Sequence, residues 1–152
     1  KKENLTNTFD ALLEMGIIPV VNENDSVSYK EIESADRLFG DNDMLSAVVA
    51  VLCKAQKLII LSDIDGMYDS DPRLNLHAKL IERIDHIDED LFSLAGSAGS
   101  RRGTGGMKTK LGAAHLATSN GTDVVITNGK HPDGIYDIVA GKSVGTLFVG
   151  QK

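Results

Sequence analysis

Gly103-Thr104-Gly105-Gly106-Met107-Lys108-Thr109-Lys110 is the segment whose residue types and spacing point most directly to chemistry. Glycines let a backbone approach a ligand closely, and a helix start leaves N–H groups without intrahelical partners. Those groups and the positive end of the helix dipole suit an anion. Lysines in a helix's first turn oppose that dipole, so Lys108 and Lys110 sit there at a cost unless an anion compensates, and phosphate is the obvious one. Two positions apart, they point to different faces, and at most one is expected to touch the ligand. An exposed loop followed by two solvated lysines accounts for the same residues about as well. The segment departs from Gly-x-x-x-x-Gly-Lys-Ser/Thr, which excludes a P-loop, and from Gly-x-Gly-x-x-Gly, which disfavours a dinucleotide fold.

Three apolar runs lead straight into polar residues: Asn22 and Asp25 after the first, Ser62 and Asp63 after the second, and Thr127, Asn128 and Gly129 after the third. In open α/β sheets ligands bind outside the carboxyl ends of strands, so three such junctions together predict a cleft. Asp63, at a strand's end, is the carboxylate singled out. Asp65, Asp69 and Asp71 read as surface or turn residues. A calcium loop fails on spacing, because Gly66 as its sixth residue puts Leu61 first. Asp41, Asn42 and Asp43 can cap a helix and do nothing more. His77, His86, His115 and His131 have no metal-ligand spacing, so no protein metal site is expected. Ser62, Ser97 and Ser100 show no nucleophile elbow.

The elements that must position these residues alternate. Leu5, Phe9, Leu12 and Leu13 recur at helical spacing, and Gly16 ends that helix. Residues 17–21 read as a short apolar strand, with Pro19 arguing against a central place. A helix capped by Asp41 or Asn42 runs through Met44, Leu45, Val48, Val49 and Leu52. A strand over 57–61, a weaker one near Leu80 and Ile81, and a short helix over 88–94 follow. The glycine-rich stretch 96–106 reads as a loop. After it come a helix over 107–118, a strand over 123–127, a helix over 134–139 and a strand over 146–149. Apolar strands separated by helices predict one α/β domain: a three-layer α-β-α sandwich with a mainly parallel central sheet.

The chain has 152 residues, a net charge of −6, no Trp and 5% aromatics. That balance argues against nucleic acid as a partner, which calls for a basic face or stacking platforms, and for a small molecule instead. The longest apolar runs are too short to cross a bilayer, and no signal-peptide core is present. Cys53, alone in an apolar run, reads as a buried inert thiol in keeping with a reducing compartment, so a cytoplasmic location is expected.

Taken together, Val21-Asn22-Glu23-Asn24-Asp25, Phe39-Gly40-Asp41-Asn42-Asp43, Leu61-Ser62-Asp63-Ile64-Asp65-Gly66-Met67-Tyr68 and the Gly103–Lys110 segment resemble, in that order, segments of the glutamate 5-kinases within the amino acid kinase family. The closing Ser143-Val144-Gly145-Thr146-Leu147-Phe148 is similar to the end of their kinase domain. The Ser-Asp and Gly-Gly-Met elements are shared across amino acid kinases and imply ATP. The Asn-Glu-Asn-Asp and Gly-Asp-Asn-Asp pair is narrower and implies glutamate. The resemblance implies transfer of the γ-phosphate of ATP to the side-chain carboxylate of L-glutamate, with Mg2+ bridging ATP oxygens. By position, Asp25, Asn42 and Asn22 are expected at the substrate. Ser62, Asp63, Thr104, Gly105, Gly106, Met107, Lys108, Thr109 and Lys110 are expected at ATP. Asp43, Asp63 and Lys110 are expected to be catalytic, Asp43 orienting the site and Asp63 positioning lysines. A homo-oligomer and proline as feedback inhibitor are further partners the resemblance implies. The family's phosphoryl-holding first strand has no counterpart here. The chain is therefore expected to be the C-terminal, nucleotide-binding portion of the domain, inactive alone. Acetylglutamate kinase, aspartokinase, uridylate kinase and a non-catalytic nucleotide-binding module are the alternatives.

Overall fold

Val124, Val125 and Ile126 are buried to within 3% of their surface, which places the run they form at the centre of a sheet rather than on its edge. A computed structural model of the chain describes residues 2–22, 42–97 and 106–151. In chain order the elements are α1 (Lys2–Glu14), α2 (Asn42–Leu52), β1 (Lys57–Ser62), β2 (Arg83–Ile84), α3 (Glu89–Ser97), α4 (Met107–Thr118), β3 (Asp123–Asn128), α5 (Gly134–Val139) and β4 (Thr146–Phe148). The sheet order is β1-β3-β4-β2. β1 runs parallel to β3 and β2 parallel to β4, while β3 and β4 are antiparallel. The fold is α/β around a mixed, mostly parallel sheet.

The β1–β3 register runs from Lys57↔Asp123 to Ser62↔Asn128. Both strands therefore finish level, and the polar residues after them emerge side by side. α4 lies over β3 through Leu111, Ala113, Ala114 and Ala117, each fully buried. Those small side chains let α2 come close, with Ala47 buried between the two helices and the Met44 thioether methyl 3.8 Å from where a Cβ on Gly112 would stand. This close α2–α4 packing carries Asn42 and Asp43, at the start of one helix, to the start of the other. Ile60, Met67, Ile84 and Phe148 complete the core.

Several expectations need correction. Residues 17–21 form no strand: Ile18 is 86% and Val20 90% exposed, and Pro19 lacks the N–H that a ladder would use. An apolar run becomes a strand only beside a partner, and none of the described strands pairs with it. The weak strand near Leu80 and Ile81 is displaced to Arg83–Ile84; Leu80 instead makes a single antiparallel bridge with Tyr68. The last strand is Thr146–Phe148 and antiparallel to its central neighbour, where a mainly parallel sheet was expected to continue. Among the described residues no helix is long and apolar enough to cross a membrane. Cys53 is half-buried rather than buried, and burial, aided by the nearby Asp10 carboxylate, pushes its thiol above the usual range. That shift keeps it protonated and inert.

Candidate functional site

At the sheet's carboxyl edge the β1 and β3 exits are tied together by hydrogen bonds. The Gly129 N–H donates to the Ser62 carbonyl (2.8 Å), extending the ladder one step past the strands. Ser62 Oγ donates to Asp63 Oδ1 (3.1 Å). The Asn128 amide donates to Asp65 Oδ1 (2.8 Å), and the Tyr68 hydroxyl to Asp65 Oδ2 (3.1 Å). Asn128 Oδ1 in turn accepts the Lys130 N–H at 3.0 Å. Burial first, and then the accepting and negatively charged Asp65, push the Tyr68 hydroxyl above its ordinary range, so it stays a donor at neutral pH. The result is a hydrogen-bonded rim at the β1 and β3 exits that includes Ser62 and Asp63.

The second half of the site is the meeting of two helix starts. α4 opens at Gly106, whose extended backbone caps the helix with no side-chain acceptor. Thr109 closes the first turn, its N–H and hydroxyl both donating to the Gly106 carbonyl at 3.1 and 2.8 Å. Lys108 is exposed, whereas Lys110 turns inward, which bears out the expectation that the two lysines face different ways. Lys110 Nζ lies 2.9 Å from Asp43 Oδ2, with only 12% and 14% of the two side chains exposed. Asp43 stands in the first turn of α2, where a carboxylate also suits the dipole, and the Ser46 hydroxyl donates to its carbonyl at 2.6 Å.

A cation in α4's first turn needs an anion, and in this structure Asp43's carboxylate serves it; Asp63, expected to position the lysines, takes the Ser62 hydroxyl instead. Asn42 opens α2 and is exposed, and Asn22 is exposed in the extended stretch after α1. Asp25, Asp41, Thr104 and Gly105 lie outside the described residues. Asn128 was expected at the cleft only as one of the polar residues that follow a strand, and Asp65 was read as a surface or turn residue. Their only sequence signal was position, each falling within three residues of an apolar strand's end.

The remaining aspartates behave as turn residues. Asp69 sits below its ordinary range because the Lys79 N–H and then the Ser70 hydroxyl bond it. Asp71 is likewise lowered, chiefly by the Arg73 side chain, which bonds both carboxylate oxygens at 3.0 and 2.8 Å.

A family model described as the amino acid kinase family matches residues 1–128. The chain is 55% identical over 151 residues to a glutamate 5-kinase of Clostridium perfringens, covering 99% of this chain and 56% of that protein. It is 49% identical over 148 residues to a glutamate 5-kinase of Enterococcus faecalis, covering 97% and 54%. The chain thus spans about half the length of the curated relatives it matches. Among solved structures, an isopentenyl phosphate kinase of T. acidophilum superposes with a TM-score of 0.52 at 27% identity, over 71% of this chain and 39% of that one. A UMP kinase of Ureaplasma parvum gives 0.55 at 17% identity, over 95% and 52%, a likeness of fold alone.

Proposed function

Since the chain belongs to the amino acid kinase family, we propose that residues 1–152 are the nucleotide-binding portion of a domain that transfers the γ-phosphate of ATP to the side-chain carboxylate of L-glutamate. The product is glutamyl 5-phosphate, the first intermediate of proline synthesis. The observation that carries the reading is the largely buried Lys110–Asp43 pair at the glycine-to-helix junction. A lysine held out of water by a carboxylate, at the positive end of a helix, is a preorganised counter-charge for phosphate. The choice of glutamate is supported by the identity to glutamate 5-kinases.

The acceptor is already ionised at neutral pH, so the chemistry asks for alignment and charge neutralisation rather than a general base. The N–H groups of Gly106, Met107 and Lys108 face the phosphates, Lys110 neutralises charge that develops on them, and Asp43 fixes the direction of its ammonium. Ser62 and Asp63 line the nucleotide from the β1 side, and the resemblance adds Thr104 and Gly105 to its contacts. Asn42 donates to the substrate's α-carboxylate and Asp25 accepts from the α-ammonium, with Asn22 a further contact that the resemblance implies. Among the described residues no cluster of three or more His, Cys, Asp or Glu can cage a metal. Mg2+, which the family resemblance implies, would supply charge neutralisation at the phosphates when bound.

The test is ADP release by the intact protein with glutamate, N-acetylglutamate, aspartate or UMP as acceptor. Glutamate is expected to support turnover; preference for another acceptor overturns the substrate assignment. On the same reading the enzyme is a cytoplasmic homo-oligomer inhibited by proline. Size-exclusion chromatography and the same assay with added proline check both.

A further inference from the structure

The segment that closes the chain, Ser143 to Phe148, has no part in the chemistry above, yet it contains a fully buried hydroxyl. Thr146 is 0% exposed. Its Oγ1 accepts the Met67 N–H at 2.8 Å and donates to the Ile81 carbonyl at 2.7 Å. Met67, itself buried, returns its carbonyl to the Ile81 N–H at 2.8 Å. The hydroxyl therefore stitches together three stretches distant in sequence: the loop after β1, the lead into β2, and the start of β4.

That loop is short. Its entrance, Ser62, is fixed in register against Asn128 on β3, and its exit, Met67, is fixed by Thr146. Only residues 63–66 lie between the two anchors. In the middle, Asp65 is held by the Asn128 amide. The backbone is pressed against the clasp: Gly66 has φ +150°, and a Cβ there would stand 2.5 Å from Thr146 Oγ1. Thr146 is placed in turn by Gly145 (φ +65°), where any Cβ would run into the Ile126 carbonyl of β3. Thr146 lies beyond the residues 1–128 that the family model matches.

We infer that Thr146 and Asn128 are positioning residues for the β1 exit loop, holding Ser62 and Asp63 in the arrangement that receives the nucleotide. The inference rests on the reading that this loop meets ATP. A loop ordered before binding does not lose that conformational freedom when the ligand arrives, so its clasp contributes to nucleotide affinity rather than to the chemical step.

The test is kinetics on the intact protein. Thr146→Val keeps the shape of the side chain and removes both hydrogen bonds. It is expected to raise KM for ATP about tenfold, while kcat and KM for glutamate stay within about twofold. Thr146→Ser keeps the hydroxyl and is expected to restore KM for ATP. Ile138→Ala, a core truncation in α5, controls for stability: it lowers the urea midpoint without moving KM for ATP. Asn128→Ala, at a site only half-buried, reads the second clasp and serves alone if Thr146→Val does not fold; a rise of about threefold is expected. Wild-type KM for ATP in Asn128→Ala and in any folded Thr146→Val overturns the inference, as does an equal rise in Ile138→Ala. Binding of a fluorescent ATP analogue to the same variants separates the two readings. If the wild type binds the analogue but does not turn over glutamate, the acceptor assignment fails. If it turns over glutamate and the clasp variants bind the analogue as it does, the clasp fails.

Discussion

Two ion pairs of almost equal length do different work in this molecule. Arg73 and Asp71 meet at 2.8 Å within one loop, two residues apart, with 58% of the arginine side chain in solvent. Lys110 and Asp43 meet at 2.9 Å across two helices, 67 residues apart, with almost nine-tenths of each side chain covered. The loop pair belongs to a stretch that satisfies itself: Asp69 and Lys79 exchange backbone and carboxylate bonds, and Asn75 reaches Ser70. It forms wherever the turn forms. The helix pair exists only if α2 and α4 pack as they do, so folding itself assembles the charge arrangement. Separation between charges is thus a poor guide to importance; cover from water and the chain length bridged are better ones.

The sharpest way to break this contrast is Lys110→Ala in the intact protein. Loss of a preorganised charge partner of the transferring phosphate is expected to lower kcat by about a hundredfold or more, read as ADP release. A rate within twofold of wild type would make the helix pair merely structural. Next in size is Asp43→Asn, which leaves Lys110 covered without its carboxylate. An unfolding loss of about 2–3 kcal/mol is expected in urea, below the range for fully buried pairs because both side chains keep some exposure. Smallest is Arg73→Ala. The unfolding midpoint at pH 7 is expected not to move, and the Asp71 carboxyl, followed by NMR, to rise toward its ordinary value. The sign follows from linkage: Asp71's folded value lies below its unfolded one, so whatever stability the pair adds is present above the ordinary carboxylate range. It is lost as pH falls through the depressed value, where wild type and variant converge. A large midpoint shift at pH 7 would erase the distinction drawn between the pairs.

How far these features were legible in the sequence follows from how local each is. α4 and α5 fall on the residues expected, because apolar spacing, a preceding glycine and a following turn are local signals. β1 and β3 were legible as apolar runs, and each proves one residue longer, reaching Ser62 and Asn128. Residues 17–21 carry the same kind of pattern and form no strand, since nothing in the run itself supplies a partner. The antiparallel turn of β4 was equally invisible, because a strand's direction is set by the path between strands and not by its composition. At the site, Lys108 and Lys110 both stood against the helix dipole, and only the resemblance singled out Lys110. Asp43 could be read from its position as a helix cap, the resemblance alone giving it a role, and the close packing of α2 on α4, with the Met44 methyl near Gly112, brings it to Lys110. Thr146 entered only as the first residue of the expected last strand; its hydroxyl matters because Met67 and Ile81 arrive from elsewhere.

The central claim is that the start of α4 and the exit of β1 receive one nucleotide between them. A crystal structure of the intact protein with a non-hydrolysable ATP analogue tests it most directly. The expected result places the phosphates on the N–H groups of Gly106, Met107 and Lys108 and within hydrogen-bond reach of Lys110 Nζ, with Ser62 and Asp63 lining the same pocket. An analogue bound elsewhere, with Lys110 and Asp43 remote from its phosphates, would contradict it.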